Sequence, residues 1–361
     1  MASRFRLAIS TGGGDAPGLN AVIRAIVLAA VNRGWEVHGI RKGFNGLLGE
    51  DPIIPLTAAS VSGITHLGGT ILGTTNRGNP FSWPVKNAQG VVEATDRSDE
   101  VVAAFQRHGF DAMIVIGGDG SLRIAHRLCK KGLPIVGVPK TIDNDLAATD
   151  VTFGFRTAVQ TATEAIDKLH STAESHERTM VVEVMGRDTG WIALFSGVSG
   201  TADVILIPEI PYNLEKVCAK VRERYSSGRN FAIVVVAEGA KPVGGEQIYQ
   251  ETGPHVKRLG GIAERLANQI AAETGAETRS LVLGHLQRGG TPTAYDRLIA
   301  LRFGAAAVRL VEAKRFGTMV ALHPPEVRAV PLEEAIEQIK LVPVNGDIVQ
   351  TARDMGVSFG D

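Results

Sequence analysis

The sequence predicts an α/β protein built on doubly wound, mostly parallel sheets, and three observations carry that prediction. Short β-branched apolar runs alternate with helix-length windows along most of the chain, the order that a parallel sheet with crossover helices requires. The runs are apolar continuously rather than at every second position, as strands covered on both faces must be. The 42 glycines cluster where those runs stop, in "STGGGDAPG", "LGGTILG", "VIGGDGS" and "VMGRDTG"; in open parallel sheets that edge is where ligands bind. A length of 361 residues exceeds the roughly 250–300 that one core accommodates, so the doubly wound pattern is expected twice.

The elements follow in order. "RLAIS" (6–10) reads as a strand that runs through a glycine turn into a helix over 18–32, and "EVHGI" (36–40) as the next strand. "RGNPFSWPVKNAQG" (77–90) reads as a long loop, followed by a helix over 95–108. "AMIVIGG" (112–118), a helix over 121–131, "IVGVP" (135–139) and a helix over 156–172 continue the alternation. "TMVVEVMG" (179–186), "VILIP" (204–208), a helix over 213–226 and "FAIVVVAEG" (231–239) repeat it. "KPVGGEQIYQETGPH" (241–255) reads as a second long loop, with helices over 256–273 and 293–314 beyond it. Pro331, whose ring suits the first turn of a helix, opens a last helix over 332–340 with a tail after it.

Composition removes several function classes. With 38 basic and 38 acidic residues, the chain lacks the basic excess that holds nucleic acid or an anionic membrane. Its two cysteines, Cys129 and Cys218, form neither a disulfide framework nor a zinc signature, which fits a reducing cytoplasm. "MASRFRLAIS" has no leader of signal-peptide character, and no apolar run approaches the roughly 18 residues of a membrane span.

Four groups of residues carry chemistry. In "AISTGGGDAPGLN" three glycines let a ligand approach the backbone, and the following helix start favours an anion such as phosphate. It is neither a Walker loop nor a GxGxxG fingerprint, and a tight turn with no ligand is the alternative. In "IGGDGS" the carboxylate of Asp119 beside a glycine turn suits Mg²⁺, which takes one or two carboxylates plus phosphate oxygens; a simple N-cap is the alternative. In "PKTIDND" Asp143 and Asp145, two apart in an extended loop, face one side. One can serve as general base to a hydroxyl and the other can orient a cation, while an Asx-turn cluster is the alternative. Finally, Arg178, Arg187, Arg279 and Arg288 adjoin strands or glycine turns, and guanidinium forks grip phosphate at two points. Singly each arginine suits a surface ion pair, and His285 suits a satisfied core position. Glu238 ends a strand where a sugar hydroxyl acceptor would be placed.

Together "GGDAPGLNAVIR", "GGTILG", "IGGDGS", "PKTIDND", "HERTMVVEVMGR", "AEGA", "ETRSLVLGHLQRGG" and "YDR" resemble the phosphofructokinase family, in the family's order from about residue 6 to residue 310. The resemblance implies two similar Rossmann-like domains with the active site in the cleft between them. Residues 1–154 with about 287–337 would form the nucleotide domain, and 155–286 with about 338–361 the fructose 6-phosphate domain. It implies Mg²⁺-dependent transfer of the ATP γ-phosphoryl to the 1-hydroxyl of fructose 6-phosphate, giving fructose 1,6-bisphosphate. Asp143 resembles the base, supported by Thr141 and Arg187, and Asp119 the metal ligand. Gly14, Arg77, Gly78, Gly118, Asp119, Gly120 and Ser121 resemble the nucleotide site. Thr141, Ile142, Asp143, Met185, Gly186, Arg187, Glu238, His285, Leu286, Gln287 and Arg288 resemble the sugar-phosphate site. Arg178 and Arg279 match residues that reach across from a neighbouring subunit, which implies a homodimer or homotetramer with a shared site.

The phosphoryl donor turns on Gly120 and Lys140. ATP-using members of the family have glycine at both positions, and pyrophosphate-using members have aspartate and lysine. This chain carries one mark of each and resembles the mixed-substrate subgroup. Aspartate at position 120 would set like charge against the nucleotide phosphates in a poorly solvated site, so Gly120 favours ATP and leaves pyrophosphate as the alternative. Of the effector arginines known in allosteric bacterial members, Arg24 is kept, Leu28 replaces another, and "SSGRN" (226–230) replaces a lysine-rich loop; weak or absent control by ADP and phosphoenolpyruvate is expected. A silent regulatory subunit is disfavoured by intact Asp119, Asp143, Arg187 and Arg288, and a dehydrogenase by the missing GxGxxG. Activity on sedoheptulose 7-phosphate is left open.

Overall fold

A computed structural model describes residues 4–86, 90–251 and 257–361, without the side chains at 250, 251, 257 and 258. The chain divides into two compact units, Met1–Arg156 with Arg288–Ile339 and Thr157–Gln287 with Lys340–Asp361.

The first unit is built on one large sheet. Its strands lie in the order Glu326–Pro331, Thr318–His323, Ile135–Thr141, Ala112–Gly117, Arg6–Thr11, Glu36–Ile40 and Ile53–Leu56, and the short Phe153–Gly154 strand pairs with Ile135–Thr141. The inner strands run parallel, and an antiparallel partner closes each edge. Every residue of Ala112–Gly117 and Ile135–Thr141 is buried, so their continuous apolar character reflects helices on both faces. Helices Leu19–Val31 and Ala294–Glu312 pack against each other. They approach closely because Gly304 has no side chain: a Cβ there would lie 2.7 Å from both the Ala25 methyl and the Val22 carbonyl oxygen.

The second unit has a four-stranded parallel sheet in the order Val204–Leu206, Ala232–Ala237, Thr179–Val184 and Thr278–Val282. Its core gathers Val181, Val234, Val236, Leu266 and Ile270. Glu183 is 3% exposed and accepts hydrogen bonds from the amides of Gly261 and Ala263. A buried carboxylate thereby caps helix Ile262–Thr274, where orphan N–H groups and the helix dipole favour negative charge.

Several expected boundaries change. The 77–90 loop holds a 3₁₀ turn, Pro80–Ser82, and strand Trp83–Lys86, which pairs antiparallel with Val92–Thr95; residues 87–89 lie outside the described residues. The helix expected from 95 consequently starts at Ser98. The 241–255 loop ends in strand Tyr249–Glu251, paired with Lys257–Leu259, while 252–256 lie outside the described residues. The helix expected from 121 begins at Asp119, and that expected over 156–172 spans Phe155–His176. The last predicted helix stops at Glu337 because Gln338 turns extended (φ −138°, ψ 153°). The expected tail contains helix Asp347–Asp354. Helix Trp191–Ser199 escaped prediction because "WIALFSGVS" is apolar nearly all round and offers no helical period. No helix among the described residues is long and apolar enough to cross a membrane.

Candidate functional site

In the first unit, the loops beyond the strands' carboxyl ends interlock. After strand Arg6–Thr11 the amide of Gly12 donates to the Ile116 carbonyl (3.0 Å) and that of Gly13 to Thr75 (3.2 Å). Thr74 Oγ1 donates to the Gly13 carbonyl, and Thr11 Oγ1 to Gly73 (2.7 Å). The loop carrying Arg77 and Gly78 is thus tied to the glycine turn. Arg77 itself is exposed, and a Cβ on Gly78 would press on Thr75 at 2.8 Å.

Two of the glycines lie in close approach to side chains of other loops. A Cβ on Gly12 would lie 2.6 Å from Ser121 Oγ, and one on Gly14 would lie 2.8 Å from an Arg288 guanidinium nitrogen. Arg288 also donates to the Asp15 carbonyl (3.1 Å). It therefore stands beside the glycine turn within the first unit. Gly120 differs: within 4 Å of its would-be Cβ there is nothing. It sits in the first turn of helix Asp119–Lys130, whose N-cap is Gly118, where orphan amides and the positive helix end favour an anion.

A dense set of charges lies on the same rim. Lys140 is 3% exposed, and its Nζ donates to the Gly14 carbonyl. Burial, reinforced by Arg288, lowers its pKa to about 8 against the pull of Asp143, Asp15 and Asp145. Asp145 is pushed up to about 7, first by burial and then by the charge of Asp143, with Asp119 adding to the shift. Its Oδ1 is buried without a hydrogen-bond partner. Asp145 thus feels the fields of both other carboxylates.

The expected extended Asp143–Asp145 loop is corrected. Asn144 has φ +52°, a left-handed conformation that asparagine tolerates, and its Oδ1 accepts from the Thr152 amide (3.1 Å). Thr152 in turn donates to the Thr141 carbonyl (2.7 Å), and the Asp143 amide donates to Thr141 Oγ1 (3.1 Å). The pair comes together through a pinned turn, not through strand alternation. Ile142 is fully buried, so only its main chain can face a ligand.

In the second unit the predicted residues separate into two groups. Met185, Gly186, Arg187 and Glu238 follow the carboxyl ends of neighbouring strands, with Arg187 exposed and Gly186 at φ +144°. The Glu238 amide donates to the Val184 carbonyl (2.9 Å) and that of Gly239 to Gly186 (3.0 Å). Arg178 and Arg279 lie at the opposite, amino ends of Thr179–Val184 and Thr278–Val282. Both pair with Glu277, at 2.8 and 2.6 Å. The chain alone does not bring these two arginines to Arg187.

His285 corrects the core-histidine reading: it is exposed on the 3₁₀ turn Gly284–Arg288. Leu286 beside it is 68% exposed, whereas Gln287 is fully buried, accepting from the Met185 amide (3.3 Å) and donating to the Gly284 carbonyl (3.0 Å). Gln287 can act only through the main chain it holds.

Residues the sequence reading passed over hold these loops. Asn20 is 3% exposed. It donates to Leu67 and Gly68 and accepts from Ile71 (3.2, 3.1 and 2.9 Å), fixing the "LGGTI" loop. The only signal was a lone amide inside an apolar helix start. Gln247 does the same in the second unit, from a segment that reads as a loop.

Among the described residues no cluster of three His, Cys, Asp or Glu side chains forms a protein cage for a metal. Crowded carboxylates with a buried, unpartnered oxygen instead suit a hard cation completed by phosphate oxygens and water. Mg²⁺ fits this donor set through Asp119.

Comparison with known proteins agrees in extent. A family model described as phosphofructokinase matches residues 6–311. The ATP-dependent 6-phosphofructokinase of Chloroflexus aurantiacus is 52% identical over 100% of this chain and 99% of its own. The pyrophosphate–fructose 6-phosphate 1-phosphotransferase of Amycolatopsis mediterranei is 51% identical over 94% of this chain and 97% of its own. The crystal structure of Pichia pastoris phosphofructokinase in the T-state superposes with a TM-score of 0.81 at 31% identity, over 100% of this chain and 38% of that longer one. The chain belongs to the phosphofructokinase family.

Proposed function

We propose that the chain is a 6-phosphofructokinase, transferring the γ-phosphoryl of ATP to the 1-hydroxyl of fructose 6-phosphate to give fructose 1,6-bisphosphate, a glycolytic step. The observation that carries this reading is the shared rim of the first unit. There Asp143, Asp119, Lys140 and Arg288 surround a helix start and a glycine turn, in a chain matched end to end by an ATP-dependent relative.

Asp143 takes the proton of the 1-hydroxyl. A carboxylate is a weak base toward a sugar alcohol, so that transfer is late, as the new P–O bond forms. The Thr141 hydroxyl and the pinned turn at Asn144 hold the base in place. Lys140, largely protonated at neutral pH by its value of about 8, and Arg288 stabilise negative charge on the donor phosphates. Asp119 would hold Mg²⁺, which would supply positive charge to offset that of the donor phosphates. The second unit supplies the sugar-phosphate contacts through Met185, Gly186, Arg187, Glu238, His285 and Leu286, with Gln287 acting through Met185. Arg178 and Arg279, remote from Arg187 in their own chain, serve a neighbouring subunit of a homodimer or homotetramer. The reading places the enzyme in the cytoplasm.

Pyrophosphate as donor is the second reading. Buried Lys140 and the Amycolatopsis relative favour it, while the open space at Gly120 favours room for a nucleotide. Steady-state assays with ATP and pyrophosphate in parallel at equal Mg²⁺ decide between them; a higher kcat/KM with pyrophosphate rejects ATP. In the same assay Asp143→Asn is expected to lower kcat by about 10²–10⁴-fold with the KM for fructose 6-phosphate little changed. An unchanged kcat removes Asp143 as the base.

A further inference from the structure

We propose that Gln247 is a positioning residue for sugar-phosphate recognition, an inference that rests on the role proposed above for Arg187 and Glu238. The two loops that carry those residues cross at one point. There Gly239 passes so close to Arg187 that a Cβ on it would lie 1.8 Å from the Arg187 carbonyl oxygen. Both main-chain carbonyls, of Arg187 and Gly239, turn toward the same place. One amide nitrogen meets both: Gln247 Nε2 donates to Arg187 O (2.8 Å) and to Gly239 O (3.2 Å).

The two carbonyls, which can only accept, set the orientation of that amide: its NH₂ end faces them, and Oε1 accepts from the Tyr249 hydroxyl (3.1 Å). Its two N–H groups match two acceptors, and no other natural side chain of this length has that neutral pattern. Without the bridge, the two carbonyls lose their shared donor, and water bonded to either one does not tie the two loops together. Arg187 and Glu238 sit on the two loops that the bridge joins, one exposed and the other part-buried, and it adds a side-chain tie to the main-chain bonds Gly239 N–Gly186 O (3.0 Å) and Glu238 N–Val184 O (2.9 Å). Gln247 comes from the segment between strands Ala232–Ala237 and Tyr249–Glu251, outside every motif that carries the family resemblance.

The test compares Gln247→Ala, Gln247→Asn and Gln247→Glu in the full-length enzyme. Gln247→Ala is expected to raise the KM for fructose 6-phosphate about tenfold while the KM for ATP stays within about twofold, because the proposed nucleotide residues belong to the first unit. Gln247→Glu keeps the size but sets a carboxylate against two carbonyls, so it is expected to be worse than alanine. Gln247→Asn should recover part of the loss. Main-chain hydrogen exchange provides a reading that needs no turnover: exchange across 185–190 and 238–241 should rise together in the alanine variant. Folded variants with unchanged sugar KM and unchanged exchange in both loops would overturn the proposal, as would a glutamate variant equal to the parent. If the parent enzyme phosphorylates no fructose 6-phosphate with either donor, the proposed function falls, and the exchange measurement still decides whether Gln247 holds the two loops.

Discussion

The carboxyl-edge loops of the two units are held in different ways. In the first unit the side chains that bear charge are themselves part of the lock. Lys140 is buried and bonded to Gly14, Arg288 lies on Gly14, and Asp145 is desolvated beside Asp143. In the second unit main-chain clamps from Gln247 and Gln287 hold a loop whose Arg187 projects into solvent. A site that must neutralise phosphate charge gains from low solvation, since each interaction is stronger there. A site that grips a sugar phosphate gains from an exposed fork on a fixed backbone.

Four substitutions break or sharpen that contrast. The largest effect is expected from Gly239→Ala. Its new methyl meets the backbone oxygens of Arg187 and Gly186, within 1.8 and 2.9 Å, and neither can move without breaking the crossing. A loss of about 3 kcal/mol or more in stability is expected, read by thermal melting. Gly14→Ala meets only the far end of the Arg288 side chain, which can swing, so it should melt near the parent and lose activity instead. Equal melting losses in both variants would mean that the two edges are held alike.

Gly120→Asp tests the first unit alone. The space beside Gly120 is open, so the aspartate fits and the fold should survive. Its charge opposes the nucleotide phosphates, and kcat/KM with ATP is expected to fall about 100-fold, close to 3 kcal/mol by the rate relation, while that with pyrophosphate falls less. Equal losses with both donors would separate Gly120 from donor choice.

The smallest effect concerns acidity. The folded-state pKa of Asp145, about 7, lies above its ordinary 3.8. Its contribution to stability is therefore fully present below about pH 4 and is lost as pH rises through about 7. Asp145→Asn removes this dependence. In the presence of a chelator the variant should match the parent at pH 4 and gain about 1–2 kcal/mol over it at pH 8, as urea unfolding would measure. A gap that does not change with pH would mean that Asp145 is already relieved in the native state.

Legibility in the sequence followed the range of the forces involved. Strands Ala112–Gly117 and Ala232–Ala237 were readable because complete burial leaves a continuous apolar run. Strand Thr278–Val282 was not: only Thr278 is buried, and the rest of the edge strand mixes polar and apolar residues. The hairpin Thr318–Pro331 was missed because nothing local tells a second antiparallel edge from a loop-rich tail. Asp119, Lys140 and Asp143 stood out as charged residues against glycine and apolar neighbours. Asn20 and Gln247 did not, since an amide whose work is to hold distant main chain leaves no pattern in the letters.

By itself the sequence determined the α/β alternation, the family, and which side chains sit at strand ends, because burial periodicity and glycine placement act between near neighbours. Only tertiary structure decided that Arg288 meets Gly14, that Arg178 and Arg279 share Glu277 at the far edge from Arg187, and that Gln247 spans two loops. Those contacts join positions up to 274 residues apart, and which distant loops meet is set by how the sheets order their strands.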